Sequence, residues 1–150
     1  MIKLATPEDA PALLELQRVL DRESTFMLLE PGERGSVAEV PGEPSFLLLD
    51  EGGYVQVEVL PYVRARRTGY VVMGVRSSHG GQGLGRRLLE AAAEQARTRG
   101  LWRLELTVMA HNRRAIGLYL GVGFQVEGLR RAALEVEGVR VDEYYMGMLL

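Results

Sequence analysis

Nine residues, His79-Gly80-Gly81-Gln82-Gly83-Leu84-Gly85-Arg86-Arg87, carry the strongest chemical signal in this 150-residue chain. They follow a β-forming run, Tyr70 to Val75, and lead into Leu88-Leu89-Glu90-Ala91-Ala92-Ala93, which reads as helix. Glycines at 80, 81, 83 and 85 let the backbone turn sharply and approach a ligand with no Cβ in the way. The helix start that follows adds unpaired N–H groups and the positive end of a dipole, so the combination predicts an anion cradle, first of all for a diphosphate. A second run, Asn112 to Tyr119, offers an amide suited to capping a helix and a phenol two turns further on.

Two nucleotide readings of the loop fail on named residues. A triphosphate loop requires G-x-x-x-x-G-K followed by Ser or Thr; Gly80 and Gly85 have the spacing, but Arg86 and Arg87 replace the lysine and the magnesium-binding hydroxyl. A dinucleotide fingerprint requires G-x-G-x-x-G, and counting from Gly81 or from Gly83 puts Arg86 or Leu88 at the third glycine. Glu105 stands at a plausible distance for a ribose-binding acid, yet inside a strand instead of at its end.

The elements that must hold these residues follow from periodicity. Ile2 to Ala5 is a short strand. Thr6, Pro7 and Asp9 form a helix start, and Leu13, Leu14, Leu16, Val19 and Leu20 recur at helical spacing, predicting an amphipathic helix over 7–22 with Pro11 as its one conflict. From 23 to 43 Pro31-Gly32, Gly35 and Pro41-Gly42 break the pattern into a long loop. Strands over 45–49 and 54–60 flank the turn Asp50 to Gly53, and 61–67 connects them to a strand over 68–75. A helix from 83 to 99 ends at Gly100, a strand runs over 101–109, and a short helix runs from Asn112 through Tyr119, closed by Gly121-Val122-Gly123. Strands over 124–134 and 139–149 make a final hairpin around Glu137-Gly138. Hairpins on either side of a strand-helix-strand crossover predict one α/β domain over 1–150 with a mixed central β-sheet flanked by helices.

Composition removes several function classes. There is no cysteine, which excludes disulfides, thiolate zinc sites and a cysteine nucleophile, and the two histidines are too few for a histidine-rich metal site. A formal charge of −2 gives no general attraction to nucleic acid. No run approaches the ~18 apolar residues of a membrane span, and Met1 to Ala10 has no apolar core of signal-peptide length. The expectation is a soluble, cytoplasmic protein with no metal and no nucleic-acid or membrane partner.

Gly80 to Gly85, after Val75 and before Leu88-Leu89, resembles the acetyl-CoA loop of the GNAT superfamily of N-acetyltransferases, whose pattern is Arg/Gln-x-x-Gly-x-Gly/Ala. Asn112-Arg113-Arg114-Ala115-Ile116-Gly117-Leu118-Tyr119, followed by Gly123-Phe124, is similar to that family's N-x-x-A-x-x-L-Y…G-F signature. The resemblance extends over 68–150, and it departs from the pattern at Gly80, where the family carries Arg or Gln. It implies a single-domain GNAT-like fold with a strand-loop-helix site for acetyl-CoA and direct transfer of acetyl to a primary amine. By the same resemblance Met73 and Val75 meet the pantetheine arm, and Gly80, Gly81, Gln82, Gly83, Gly85 and Arg86 surround the diphosphate, with Arg86 or Arg87 compensating for Gly80. Asn112 orders the cofactor arm, and Tyr119 is the proton donor near the sulfur. No carboxylate lies in 68–76, where histone-type relatives place a glutamate, and Thr107 stands where some ribosomal-protein acetylating relatives carry theirs. Glu105 is the candidate base; Glu58, His111 and ordered water are the alternatives.

The tail from Glu127 to Met146 is similar to members that acetylate free amino acids, polyamines or protein N-termini, so the acceptor is a small-molecule amine or a protein N-terminus. Asp142 and Glu143 read as solvated strand-end acids, with attraction of an amine as the alternative reading. A homodimer is compatible with this class. The reading from another class is a CoA-binding sensor or assembly module without transfer activity.

Overall fold

Residues 1–150 are described by the computed structural model. After a two-residue strand, β1 (Lys3–Leu4), Pro7–Asp9 forms one 3-10 turn, and the regular helix α1 runs from Ala10 to Glu23. The Asp9 carboxylate accepts from the Thr6 amide at 2.8 Å, as a capping box requires. Pro11 therefore falls in the first turn of α1, where its missing N–H costs nothing, and the conflict noted in the sequence disappears. Ser24 to Ser45 contains no helix or strand.

Strands β2 (Phe46–Asp50) and β3 (Gly53–Val59) pair antiparallel around Glu51-Gly52, and β4 (Thr68–Val75) pairs antiparallel with β3 along its whole length. The glycine-rich loop leads to α2 (Leu84–Thr98), which returns the chain to β5 (Arg103–Met109), parallel to β4 as a helical crossover demands. Helix α3 (Arg113–Val122) runs one turn beyond the expected end, until Gly123 at φ 127° stops it. Strands β6 (Gln125–Val136) and β7 (Val139–Leu149) close the chain, with β7 inserted between β5 and β6. The order β1-β2-β3-β4-β5-β7-β6 is a seven-stranded mixed sheet, as the hairpin and crossover pattern anticipates.

Strand alternation decides which helix covers which face. Phe46, Leu48, Val55, Val57, Leu104 and Leu106 point toward α2 and α3, where Leu88, Leu89, Ala92 and Ala96 meet them in the larger core. Leu47, Leu49 and Tyr54 point the other way and bury Leu13, Leu16 and Leu20 of α1. Phe46 to Leu49 is thus covered on both faces, which is why that run does not alternate. Leu88 and Leu89 are fully enclosed, and truncating either to Ala removes about 2–5 kcal/mol. No helix is long and apolar enough to cross a membrane.

One break in this sheet positions the site. Strands β4 and β5 are paired only from Thr68/Arg103 to Tyr70/Glu105. From Val71 onward the β5-facing edge of β4 has no ladder partner, and the two strands part toward the loop and α3.

Candidate active site

A cavity of about 730 Å³ occupies the gap where β4 and β5 part. It passes through the sheet. On the α2–α3 side its walls include Met73, Val75, the glycine loop, Asn112 and Tyr119; on the α1 side they include Phe26, Met27, Leu28, Tyr70, Thr107 and Glu143.

The loop end is built for an anion. Gly81 and Gly83 both adopt φ of 76°, a left-handed backbone that favours glycine, and together they turn the chain into α2. No side chain caps that helix, and the amides of Gly81 to Arg86 donate to no acceptor within the chain. Free donors and the positive end of a helix dipole therefore stand together where the sequence places a phosphate cradle, the arrangement an anion requires. Gly85 lets α2 sit close to α3, since a Cβ there would meet Leu118 Cδ2 at 3.0 Å and push that side chain aside. A diphosphate with an extended arm along β4 fits this donor set, and no group of three or more metal-ligating side chains is present.

Arg114 is the residue sequence reasoning missed at this end. A Cβ built on Gly80 would lie 3.0 Å from one terminal nitrogen of Arg114 and 3.3 Å from the other. The guanidinium from α3 therefore fills the space that an Arg or Gln at position 80 would use. Arg114 has no hydrogen-bond acceptor or ion-pair partner within the chain, whereas Arg86 is engaged by Glu90 at 2.6 Å and Arg87 by the Gln82 carbonyl at 2.8 Å. The signal in the sequence was the pair of facts taken together: a missing side chain at 80 and an unassigned arginine in the second motif.

Tyr119 stands on the wall between the two ends. Its ring packs edge-on against Phe124 with centroids 5.8 Å apart, and it is 9% exposed. No buried side-chain polar atom lacks a partner, so the Tyr119 hydroxyl, which has none in the chain, reaches the cavity. Burial, with a smaller contribution from nearby Tyr70, pushes its ionisation up to about 12. Asn112 accepts from the Ala115 amide at 3.2 Å, so its capping role is realised at the start of α3. Thr107 Oγ1 and Tyr70 Oη share a hydrogen bond of 2.7 Å across the α1 side of the gap.

Of the residues singled out in the sequence, Met73, Val75, Gly80, Gly81, Gly83, Gly85, Arg86, Asn112 and Tyr119 line this one cavity. Gln82 and Glu105 do not. Gln82 is exposed, and Glu105 lies on β5 with its carboxylate 3.8 Å from Arg103, which also binds Glu127 at 2.6 Å. Glu105 therefore stands beside an ion cluster just outside the cavity walls, on the same face of β5 as Thr107 and paired in register with Tyr70. Glu58 and His111 also lie outside the walls, His111 stacking at 4.9 Å on Phe26.

Glu143 corrects the expectation in the opposite direction. Instead of a solvated strand-end acid it is 7% exposed, held by Arg130 at 2.6 Å, and it is the one carboxylate among the cavity walls. Asp142, its neighbour, accepts from the Ala132 amide at 2.7 Å on the far side of the strand.

Comparison with known proteins meets this geometry. Residues 12–124 match the family described as Acetyltransferase (GNAT) family. An acetyltransferase of the GNAT family from Streptococcus pneumoniae is 28% identical and superposes with a TM-score of 0.89, covering 100% of this chain and 99% of that one. Ribosomal-protein-alanine N-acetyltransferase from Brucella melitensis shares the fold at 23% identity and TM-score 0.85, with 100% and 99% covered. So does a putative acetyltransferase from Salmonella typhimurium, solved with its cofactor acetyl-CoA, at 20% identity and TM-score 0.84, with 100% and 93% covered.

Proposed function

The chain belongs to the GNAT family of acetyltransferases and is an acetyl-CoA-dependent acyltransferase; from that premise we propose direct transfer of the acetyl group to a primary amine, with residues 1–150 working as one catalytic domain. The observation that carries this reading is the cavity that crosses the sheet, with a glycine cradle and free arginine at one end and the unpaired phenol of Tyr119 between its two mouths. Acetyl-CoA supplies the acetyl group as a thioester, whose carbonyl accepts an amine and whose sulfur leaves.

In this reading the amides of Gly81 to Arg86 and the Arg114 guanidinium hold the diphosphate, and the open edge of β4 at Met73 to Val75 aligns the arm. Tyr119 Oη donates a proton to the departing sulfur and recovers one from solvent. Burial keeps the phenol protonated near neutrality, so a proton is present there to give. The acceptor nitrogen gives its proton to ordered water, with Glu105, one residue pair beyond the cavity wall beside Tyr70, as the alternative base; the Thr107 hydroxyl is occupied by Tyr70. Self-association as a homodimer is part of the proposal: the outer edge of β6 is unpaired and carries the exposed Val126 and Leu129, and sedimentation velocity decides it.

The test is thiol release from acetyl-CoA over a panel of free amino acids, polyamines and peptide N-termini. Turnover on one class supports the transferase. CoA binding without thiol release on any acceptor replaces it with the sensor or assembly module, which the glycine at position 80 and the lack of a carboxylate in 68–76 favour and Asn112 and Tyr119 count against.

A further inference from the structure

Glu143 does not stand alone on the α1 side of the cavity. It faces Met109 across the β5–β7 ladder and Arg130 across the β6–β7 ladder, and Arg130 Nη1 donates to its Oε1 at 2.6 Å. Beyond Arg130 the ladder is interrupted until Leu134, with Ala132 at φ 49° and its amide anchored on Asp142. This bulge aims both Arg130 and Leu134 at the cavity, the use to which bulges beside binding sites are put.

A half-buried ion pair is a poor stabiliser, because desolvation offsets most of its attraction. The β6–β7 hairpin has its register set by seven other residue pairs and does not need this one. What the pair offers instead is unused binding capacity. A guanidinium carries five N–H donors in a rigid fork, and Arg130 donates only to Glu143 while its plane lies 5.6 Å from the Tyr145 ring centre. Glu143 keeps its second oxygen free. A carboxylate beside a guanidinium is the complement of an ammonium beside a carboxylate. Phe26, Met27, Leu28 and Leu134 add apolar surface next to it.

Resting on the transferase reading above, we propose that the acceptor is a free α-amino acid with an apolar side chain, its amine held by Glu143 and its carboxylate by Arg130. The first experiment is calorimetric titration of leucine, methionine and phenylalanine, then of leucinamide and isopentylamine, into the CoA-saturated protein. The second is thiol release from acetyl-CoA with the same compounds, leucyl-glycine and spermidine.

Leucine is expected to bind roughly 10- to 100-fold more tightly than leucinamide or isopentylamine, the value of one charge-assisted contact. Arg130→Gln brings leucine to the level of leucinamide, and Glu143→Gln weakens all three, with CoA affinity unchanged in both variants as the sign that they fold. Leucinamide bound as tightly as leucine overturns the proposal, with or without the variants. So does absence of binding by all three amino acids, or a higher kcat/KM for spermidine or leucyl-glycine than for leucine. Arg130-dependent binding of leucine without thiol release retires the transferase and keeps the amino-acid site. Thiol release that does not distinguish leucine from leucinamide does the reverse.

Discussion

Tyr119 is held as a neutral phenol, and two measurable consequences follow from that single residue. Tyr119→Phe keeps the ring packed on Phe124 and removes only the hydroxyl, so kcat is expected to fall about 100-fold while the KM for acetyl-CoA changes little. Steady-state kinetics at saturating acceptor measures this. In the unfolded chain the phenol ionises near 10.0 and in the fold near 12, so the fold binds that proton more tightly. The stability this contributes is complete below pH 10.0 and is lost as pH rises from there toward 12, so urea unfolding of Tyr119→Phe should depend less on pH in that window. At the loop, Arg114→Ala is expected to weaken CoA binding roughly tenfold. Gly80→Arg in the Arg114→Ala background should restore most of it, because the two positions compete for one space. Isothermal titration with CoA reads both. Tyr119, Asn112 and the glycines were legible in the sequence because a motif names them. Arg114 was not, because its place depends on a glycine 34 positions away, and for Glu143 the sequence offered an acid that attracts an amine but not its burial, which depends on a bulged partner strand.

At the scale of elements, glycines show where strands and helices touch. A Cβ at Gly53 would meet the Gly74 carbonyl at 2.7 Å, and a backbone atom inside the β3–β4 ladder has nowhere to go. Gly53→Ala is expected to destabilise by about 1–3 kcal/mol, read as a lowered urea midpoint. Gly52→Ala meets only the His79 ring, which swings aside, and should cost much less. The elements themselves were largely readable: hairpin turns, the crossover helix and the α3 cap agree with the structure to within a few residues. What periodicity did not carry was the parting of β4 from β5, since neither the nearly continuous apolar run of β4 nor the alternation of β5 marks where their pairing stops. Nor did it show how the aperiodic 24–45 stretch is held. Asp21 on α1 is 3% exposed and takes Arg34 from that stretch in a two-point grip at 2.8 and 3.0 Å. Arg34→Ala leaves Asp21 without its partner, and removing one side of a buried pair costs about 3–5 kcal/mol. Faster amide exchange over 24–45 than in the wild type is the expected readout.

Over the whole molecule, four carboxyls titrate below their ordinary range because of the contacts that join distant elements. Asp9 is held down first by Lys3, Glu23 by the Ser77 amide, Asp50 by the N-terminal ammonium and Glu127 by Arg103. Each is ionised in the fold at a pH where the unfolded chain is already protonated. Their contribution is therefore present above the ordinary carboxylate range and lost as pH falls through it and below. Thermal unfolding should show a plateau near neutrality and a decline on the acid side, blunted by salt because these groups are near the surface. Glu23→Gln is expected to flatten part of that decline, since Glu23 ties the end of α1 to Arg76 and Ser77 at the entrance to the glycine loop.

The gap between β4 and β5 lies in the middle of the only sheet, so along their facing edges the two halves of the sheet are joined by three residue pairs, by the core they share against α2 and α3, and by whatever fills the space beyond. Occupancy is then a cohesion term. A ligand that binds only the folded chain and is present at 100 times its dissociation constant raises the unfolding free energy by about 2.7 kcal/mol. The melting temperature in excess CoA should rise by several degrees, and resistance to proteolysis should rise with it. Free CoA should protect nearly as well as its thioester, so the fold responds to the total of the two and not to their ratio.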